Sequence, residues 1–381
     1  MISLLRAALA LVAALASPSS PAPVPICDAT TAVTLIGMDT DSGRMLFSVP
    51  AARQGGPAWV VELDGAASLA RAHPDPMAGR FGGSVGPGPI LAAVPCGSGC
   101  VQAIRWSDGT WEPVGDPLAV PTASTLAATY DNAGGAWLLV HAAGDQAGQV
   151  KAWGFRLEDR QWKAKGGIAT AAVGQPQALP APQRRDGVVS GTALFSASGR
   201  PSTWVTGLPD LPPNRRGQVL ALTGTSAAYV SADGVVYLSA DSGKGWRRST
   251  WTPWGSDTVG MWRQGSDYGV DLPFGDHRGS LQLVWFDRRN PAEERVLLAR
   301  LEQDGRWLLV AEAASEVRSK NGDRLPVSQV LVPRRDTWVL LSGCAATAGG
   351  SGLVLRVAAR SEVSAPRFLP IALAAKAPPP G

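Results

Sequence analysis

The chain has 381 residues, with 35 Lys and Arg against 31 Asp and Glu, for a formal net charge of +4 at neutral pH. That excess is too mild for this length to build a nucleic-acid-binding surface, and 45% hydrophobic against 17% charged residues is a composition that packs rather than stays disordered. With 44 Gly, 31 Pro, 14 Trp and no heptad pattern, the chain reads as all-β.

Taken in order, the first segment reads as a secretory signal. Arg6 supplies the positive start, Ala7 to Leu15 the apolar stretch and Ala14-Leu15-Ala16 the small-residue cleavage site, so residues 1–16 are expected to be removed. A lipid anchor on Cys27 would want a small residue just before it, which Val24-Pro-Ile26 lacks. No later apolar run reaches the roughly 20 residues of a membrane-spanning helix. Residues 17–26 and 373–381, rich in Ala and Pro, are expected to be disordered extensions of a single domain spanning residues 27–372.

Within that domain, short apolar or alternating runs recur between Gly, Asp and Ser turns. The fifth unit is the fullest: Gln218-Val-Leu-Ala-Leu-Thr223, Ala227-Ala-Tyr-Val-Ser231, Val235-Val-Tyr-Leu-Ser239 and Trp246-Arg-Arg-Ser-Thr-Trp251 read as four strands, and Asp233-Gly234 is a two-residue hairpin turn. The second unit returns from Ile90-Leu-Ala-Ala-Val-Pro95 to Val101-Gln-Ala-Ile-Arg-Trp106, and the third from Ala136-Trp-Leu-Leu-Val-His141 to Val150-Lys-Ala-Trp-Gly-Phe155. The sixth runs from Leu281-Gln-Leu-Val-Trp-Phe286 to Arg295-Val-Leu-Leu-Ala-Arg300, and the seventh from Thr337-Trp-Val-Leu-Leu-Ser342 to Leu353-Val-Leu-Arg-Val357. The fourth, around Val188 to Phe195, is thin; the first, Val33 to Pro50 with Ala58-Trp-Val-Val-Glu62, is the least regular. Hairpins that end in an acidic or polar turn before an indole place Trp at positions 111, 162, 204, 246 and 307, spacings of 42 to 61 residues. Strand-rich repeats of that length predict a β-propeller of seven four-stranded blades, six or eight being the alternatives, because a closed ring hides strand edges that would otherwise aggregate.

One of these hairpins, Ser239-Ala-Asp-Ser-Gly-Lys-Gly-Trp246, resembles the Asp-box, or BNR repeat, of sialidase-like propellers, with Gly245 where that pattern has Thr or Ser. The resemblance implies that Ser239, Asp241, Gly243 and Trp246 are structural, the carboxylate tying the turn and the indole packing between blades. The physics of the residues agrees, since Asp mimics a turn, Gly allows positive φ and Trp buries a large surface. Because this turn occurs in enzymes and binding proteins alike, it leaves activity open. A sialidase-like hydrolase would need an arginine triad, a Tyr nucleophile with its Glu, and an acid Asp; the early Phe/Tyr-Arg-Ile-Pro signature of that family is missing, and the four tyrosines are Tyr130, Tyr229, Tyr237 and Tyr268.

Other chemistry is sparse. His73, His141 and His277 fall in no metal-ligand spacing, so no metal or cofactor is expected, and His141, ending an apolar strand, reads as a core residue. Gly82-Gly-Ser-Val-Gly-Pro-Gly-Pro89 lacks the Lys and helix of a phosphate loop and reads as a turn. Five Arg-Arg pairs occur, and two of them, Arg184-Arg185 and Arg334-Arg335, precede an Asp just before the strand that enters a central hairpin, the position also held by His277-Arg278. If the blades repeat, these six residues share one face and could meet carboxylate, sulfate or phosphate groups. The even cysteine count of an exported chain suggests two disulfides. Cys96 and Cys100 face each other at a hairpin end, leaving Cys27 to join Cys344 and fasten the two ends of the ring. The reading that results is a secreted or periplasmic, monomeric, non-catalytic module that recognises a protein or an anionic glycan through loops on one face, with a sialidase-like hydrolase as the alternative.

Overall fold

The computed structural model describes residues 26–27, 31, 33–51, 57–75, 82–86, 88–121, 124–144, 149–171, 179–181, 184–204, 218–221, 227–230, 236–241, 243–248, 268–271, 282–287, 295–301, 307–318, 324–327, 329–334, 337–347, 350–359 and 362–374. Every regular element among them is a β-strand, and the architecture is a β-propeller. Most of the described strands fall into seven consecutive antiparallel groups, here called modules; Glu316–Arg318 and Arg324–Pro326 form a separate two-stranded sheet, and Val85–Gly86 and Glu362–Val363 are short additions to the sheet that the first and seventh modules share. The first contains Thr34–Asp39, Met45–Val49, Trp59–Leu63 and Ala70–Pro74; the second Gly82–Gly83, Leu91–Gly97, Cys100–Ser107 and Thr110–Ala119; the third Thr125–Tyr130, Ala136–Ala143, Gln149–Glu158 and Gln161–Ala171. The fourth contains Leu179–Pro180, Gly187–Ser190, Ala193–Ser196 and Ser202–Thr203, and the fifth Gln218–Ala221, Ala227–Val230, Val236–Ser239 and Arg247–Arg248. The sixth contains Tyr268–Asp271, Gln282–Asp287, Arg295–Leu301 and Trp307–Ala314, and the seventh Gln329–Arg334, Thr337–Thr347, Gly350–Ala359 and Arg367–Leu373.

The core lies in the seams between modules. Leu46 and Val60 of the first meet Ile90, Ile104 and Trp106 of the second; Leu91 and Val101 of the second meet Leu138 of the third; Trp137 and Leu139 of the third meet Val188 and Phe195 of the fourth. Val189 and Trp204 of the fourth meet Tyr229 of the fifth, Val296 and Leu298 of the sixth meet Trp338 and Leu340 of the seventh, and Leu341 and Leu353 of the seventh meet Met45 and Phe47 of the first. A sheet covered on both faces needs apolar residues at consecutive positions, which is why Met45–Val49 is buried throughout instead of alternating. Trp111, Trp162, Trp204 and Trp246 all lie in these seams.

The last module reaches the first. Arg367–Leu373 pairs antiparallel with Gly350–Ala359 and parallel with Ala70–Pro74, so that Ile371 stands opposite Ala70, and the two modules form one sheet. Thr31 bridges to Cys344, and disulfides join Cys27 to Cys344 and Cys96 to Cys100, with Cα atoms 6.0 and 5.2 Å apart. Near the two ends of the described chain, Ile26 is buried and donates its N–H to Ser351 Oγ, Leu373 pairs with Ala72, and the Ala374 N–H reaches the Ala72 carbonyl. Two expectations change. The first module is a regular four-stranded sheet, its last strand Ala-Arg-Ala-His-Pro being hard to recognise because charged groups interrupt the apolar pattern. The glycine-rich run at residues 82–89 is more than a turn, since Gly82–Gly83 pairs with Ala92 and Ala93 while Val85–Gly86 pairs parallel with Met38 and Asp39. Glycine is required there: a Cβ on Gly83 would lie 1.4 Å from the Ile36 carbonyl oxygen.

Candidate functional site

Because strands alternate in direction, the connections from first to second and from third to fourth strand gather at one end of every module. Of the arginines singled out from the sequence, Arg184, Arg185 and Arg334 lie at this end. Arg184 and Arg185 are exposed in the turn between Leu179–Pro180 and Gly187–Ser190, where Arg184 Nη1 donates to Ser196 Oγ at 2.9 Å. Arg334 ends Gln329–Arg334, in the corresponding connection of the seventh module. Arg335, His277 and Arg278 lie outside the described residues, as do the side-chain surroundings of Arg334. Adjacent turns touch: Asn132 Nδ2 donates to the Ala181 carbonyl at 3.2 Å, and a Cβ on Gly43 would come within 3.0 Å of the Pro333 oxygen. The Pro333-Arg334 segment therefore abuts the turn that carries Arg44, whereas Arg184 sits three modules away with a partner of its own.

Aspartates clamp the turns at this end. Asp241 Oδ1 accepts the N–H groups of Lys244 and Gly245 at 3.0 and 2.9 Å and the Ser239 hydroxyl at 2.7 Å, while Ser239 Oγ accepts the Gly243 N–H at 2.8 Å. The Gly245 N–H, then the Ser239 hydroxyl, hold the Asp241 carboxyl below its usual range. Trp246 packs edge-on against Tyr229 and donates to the Gly243 carbonyl at 3.1 Å. A Cβ at residue 245 would come within 3.2 Å of Asp241 Oδ2, a reason for glycine at this position. The same device recurs where the sequence pattern was not noticed. Asp39 accepts the Asp41 N–H, Asp64 the Ser68 N–H, and Asp131 the Ala133 and Gly135 N–H groups together with the Trp137 indole.

Among the described residues, a concentrated polar cluster at this end lies between the first and second modules, around Glu62. Glu62 is the one charge in the strand Trp59–Leu63. Its Oε1 takes Arg44 Nε at 3.1 Å; its Oε2 accepts the Trp106 indole N–H at 3.4 Å, at the outer limit of hydrogen bonding, and faces His73 Nε2 at 3.5 Å without a well-aligned hydrogen bond. His73, first, then the Arg44 charge and the Trp106 indole hold the Glu62 carboxyl below the usual carboxylate range, against the opposing effect of burial. The acid is thus ionised at neutral pH. Trp106 stands edge-on to His73 and to Trp111, with centroids 5.1 and 5.0 Å away. The Ser107-Asp108-Gly109 turn sits on the imidazole, where a Cβ on Gly109 would come within 2.6 Å of His73 Cε1 and its φ of +82° already suits glycine. Arg44 is 47% exposed, so its guanidinium faces solvent as well as the carboxylate. The sequence signal for this cluster was a Glu inside an apolar strand run, which the repeat pattern alone does not flag.

The hydrolase alternative finds no support in the described residues. Burial pushes the Tyr130 phenol above its ordinary value, the wrong direction for a nucleophile, and the neighbouring Asp131 carboxylate already accepts two backbone N–H groups, the Trp137 indole and Arg156 Nε. His141 Nε2 and Ser190 Oγ lie 3.1 Å apart, but both are buried between the third and fourth modules, beyond a substrate's reach. No cluster of His, Cys, Asp and Glu able to hold a metal occurs among the described residues, and none of their helices could cross a membrane, no helix being present.

No family model and no curated protein matches this chain. Among solved structures it is similar to the β-propeller domain of the Trilobed protease from Pyrococcus furiosus, at 10% identity over 89% of this chain and 98% of that one, with a TM-score of 0.48. It is also similar to AofleA from Arthrobotrys oligospora, at 10% identity over 92% and 89% of the two chains with a TM-score of 0.40. A third is the six-bladed Aleuria aurantia lectin, at 9% identity over 90% and 96% with a TM-score of 0.38. At such identities these likenesses concern fold alone. The Asp-box resemblance stays with the geometry of a single turn.

Proposed function

We propose that the chain is a seven-bladed, monomeric propeller that works outside the reducing cytoplasm as a non-catalytic binding module, and that its ligand is a glycan taken at the turn-bearing end of the seam between the first and second modules. Glu62 carries this reading. An ionised carboxylate flanked by a half-exposed guanidinium and the partly buried Trp111 ring offers an acceptor, donors and an apolar edge to a hydroxyl-rich ligand. A sulfate or carboxylate on the same glycan has the Pro333-Arg334 turn next door to engage. The two disulfides support an oxidising location.

The test is a glycan array with the mature protein, followed by calorimetry on any hit with Glu62→Gln and Arg44→Met. Each substitution is expected to weaken binding about tenfold or more, the worth of one charge-assisted hydrogen bond, with little change in melting temperature for Arg44→Met. Binding unaffected by both variants would remove the seam from the reading, and no glycan binding at all would remove the glycan. Turnover on a parallel panel of fluorogenic glycosides would instead establish the hydrolase.

A further inference from the structure

The face of the seventh module that packs on the sixth is apolar except for a small group of donors. In the ladder between Thr337–Thr347 and Gly350–Ala359, Leu340 stands opposite Arg356 and Trp338 opposite Ala358. Trp338 and Leu340 alternate along their strand, so Trp338 shares a face with Leu340 and Arg356, the face that meets Val296, Leu298 and Val310 of the sixth module, and Ser342 follows at the register shift between Leu341 and Gly343. Arg356 is 5% exposed and Trp338 1%, and Ser342 is buried as well. Arg356 Nη2 donates across the seam to the Ala314 carbonyl. Its Nε–H, the indole N–H of Trp338 and the hydroxyl of Ser342 have no protein partner, and neither has the hydroxyl of Ser315, the buried residue that follows Ala314. Burial is the one influence acting on the guanidinium, pushing it below its ordinary value, and no described carboxylate pairs with it.

A guanidinium stays charged even when buried, and leaving it uncompensated is strongly unfavourable, as is leaving several donors without acceptors. Water can accept these hydrogen bonds, but it cannot neutralise the charge. One cation is balanced by one negative charge, and the closely packed aliphatic surroundings favour an anion of atomic size over a phosphate or an organic acid. We infer that the seam between the sixth and seventh modules holds a monovalent halide-class anion, received by Arg356 Nε and the Trp338 indole. This site is separate from the Glu62 seam and does not depend on the glycan reading.

The probe is bromide. Full-length mature protein is exchanged into gluconate at constant ionic strength and titrated with bromide while its melting temperature is followed, and crystals soaked in bromide are examined for anomalous scattering. A saturable rise in melting temperature and an anomalous peak bonded to Arg356 Nε are expected. Arg356→Met, which keeps the bulk without the charge, should abolish both. Should that variant fail to fold, Trp338→Phe keeps an aromatic ring, removes the indole N–H from the shell together with part of the ring's volume, and should raise the half-saturating bromide concentration about tenfold. A peak-free map at Arg356, with water alone there, overturns the inference, as does a bromide response that persists unchanged in the variants.

Discussion

His141 shows how much a single buried titratable group can contribute to the pH dependence of the whole protein. It lies on the strand Ala136–Ala143, packed against the fourth module and bonded to Ser190 Oγ. Burial lowers its pKa to about 4. The folded state therefore resists a proton that the unfolded chain takes up below its ordinary value near 6.5, so stability is full above that value and falls as pH drops from about 6.5 to about 4. Fully developed, the loss is on the order of 3 kcal/mol, of which roughly 2 kcal/mol is expected between pH 7 and pH 5, above the range where most carboxylates titrate. Urea midpoints at those two pH values should diverge in the parent and converge in His141→Gln. Equal divergence in both would show that the imidazole is not the titrating group. Its sequence context, the end of a wholly apolar run, was enough to place this histidine in the core. Ser190 was not foreseeable as its partner, because the two are joined only by the packing of neighbouring modules.

At the level of strands and turns, the hairpin units were legible because local rules write them: apolar runs of strand length, Asp-Gly turns and an indole at the hairpin's return. What the sequence obscured were elements whose residues obey a tertiary constraint instead. Ala70–Pro74 carries Arg71 and His73 because it lies beside Glu62 and the turn at Gly109. Gly83 has no side chain because the backbone of Thr34–Asp39 passes too close to admit one. Likewise the Glu62 cluster draws on four strands or turns from two modules, and no spacing along the chain announces it. Gly83 and Gly88 separate steric from conformational demand. Gly83→Ala sets a methyl group on the Ile36 carbonyl and should destabilise by several kcal/mol or prevent folding, at the upper end of what a single substitution does. Gly88 has a φ of +89° but nothing within 4 Å of an added Cβ, so Gly88→Ala should cost only about 1 kcal/mol. Denaturant midpoints of the two variants decide the matter, and comparable losses would mean that the backbones of the first two modules are not in such close approach.

For the molecule as a whole, the arrangement depends on joining its ends. Seams between modules bury most of the apolar surface, and a first module without the last would expose Met45, Phe47 and Leu63 on one face. The join is made three ways: by the shared strand Arg367–Leu373, by the bridge from Thr31 to Cys344, and by the disulfide from Cys27 to Cys344. Only the last acts on the unfolded chain. On the chain-entropy model, a crosslink between residues 317 apart contributes roughly 5 to 6 kcal/mol, whereas Cys96–Cys100, closing a separation of 4, contributes roughly 2 kcal/mol. Replacing both cysteines of one pair by serine should therefore give unequal results, a large loss for Cys27 and Cys344 and a small one for Cys96 and Cys100. Both pairs are read in the same protein and by the same equilibrium unfolding measurement. Similar losses from the two double variants would mean that crosslinking the termini does little to the unfolded ensemble, and that the parallel pairing of Ile371 with Ala70 and the apolar seam beneath it carry the closure.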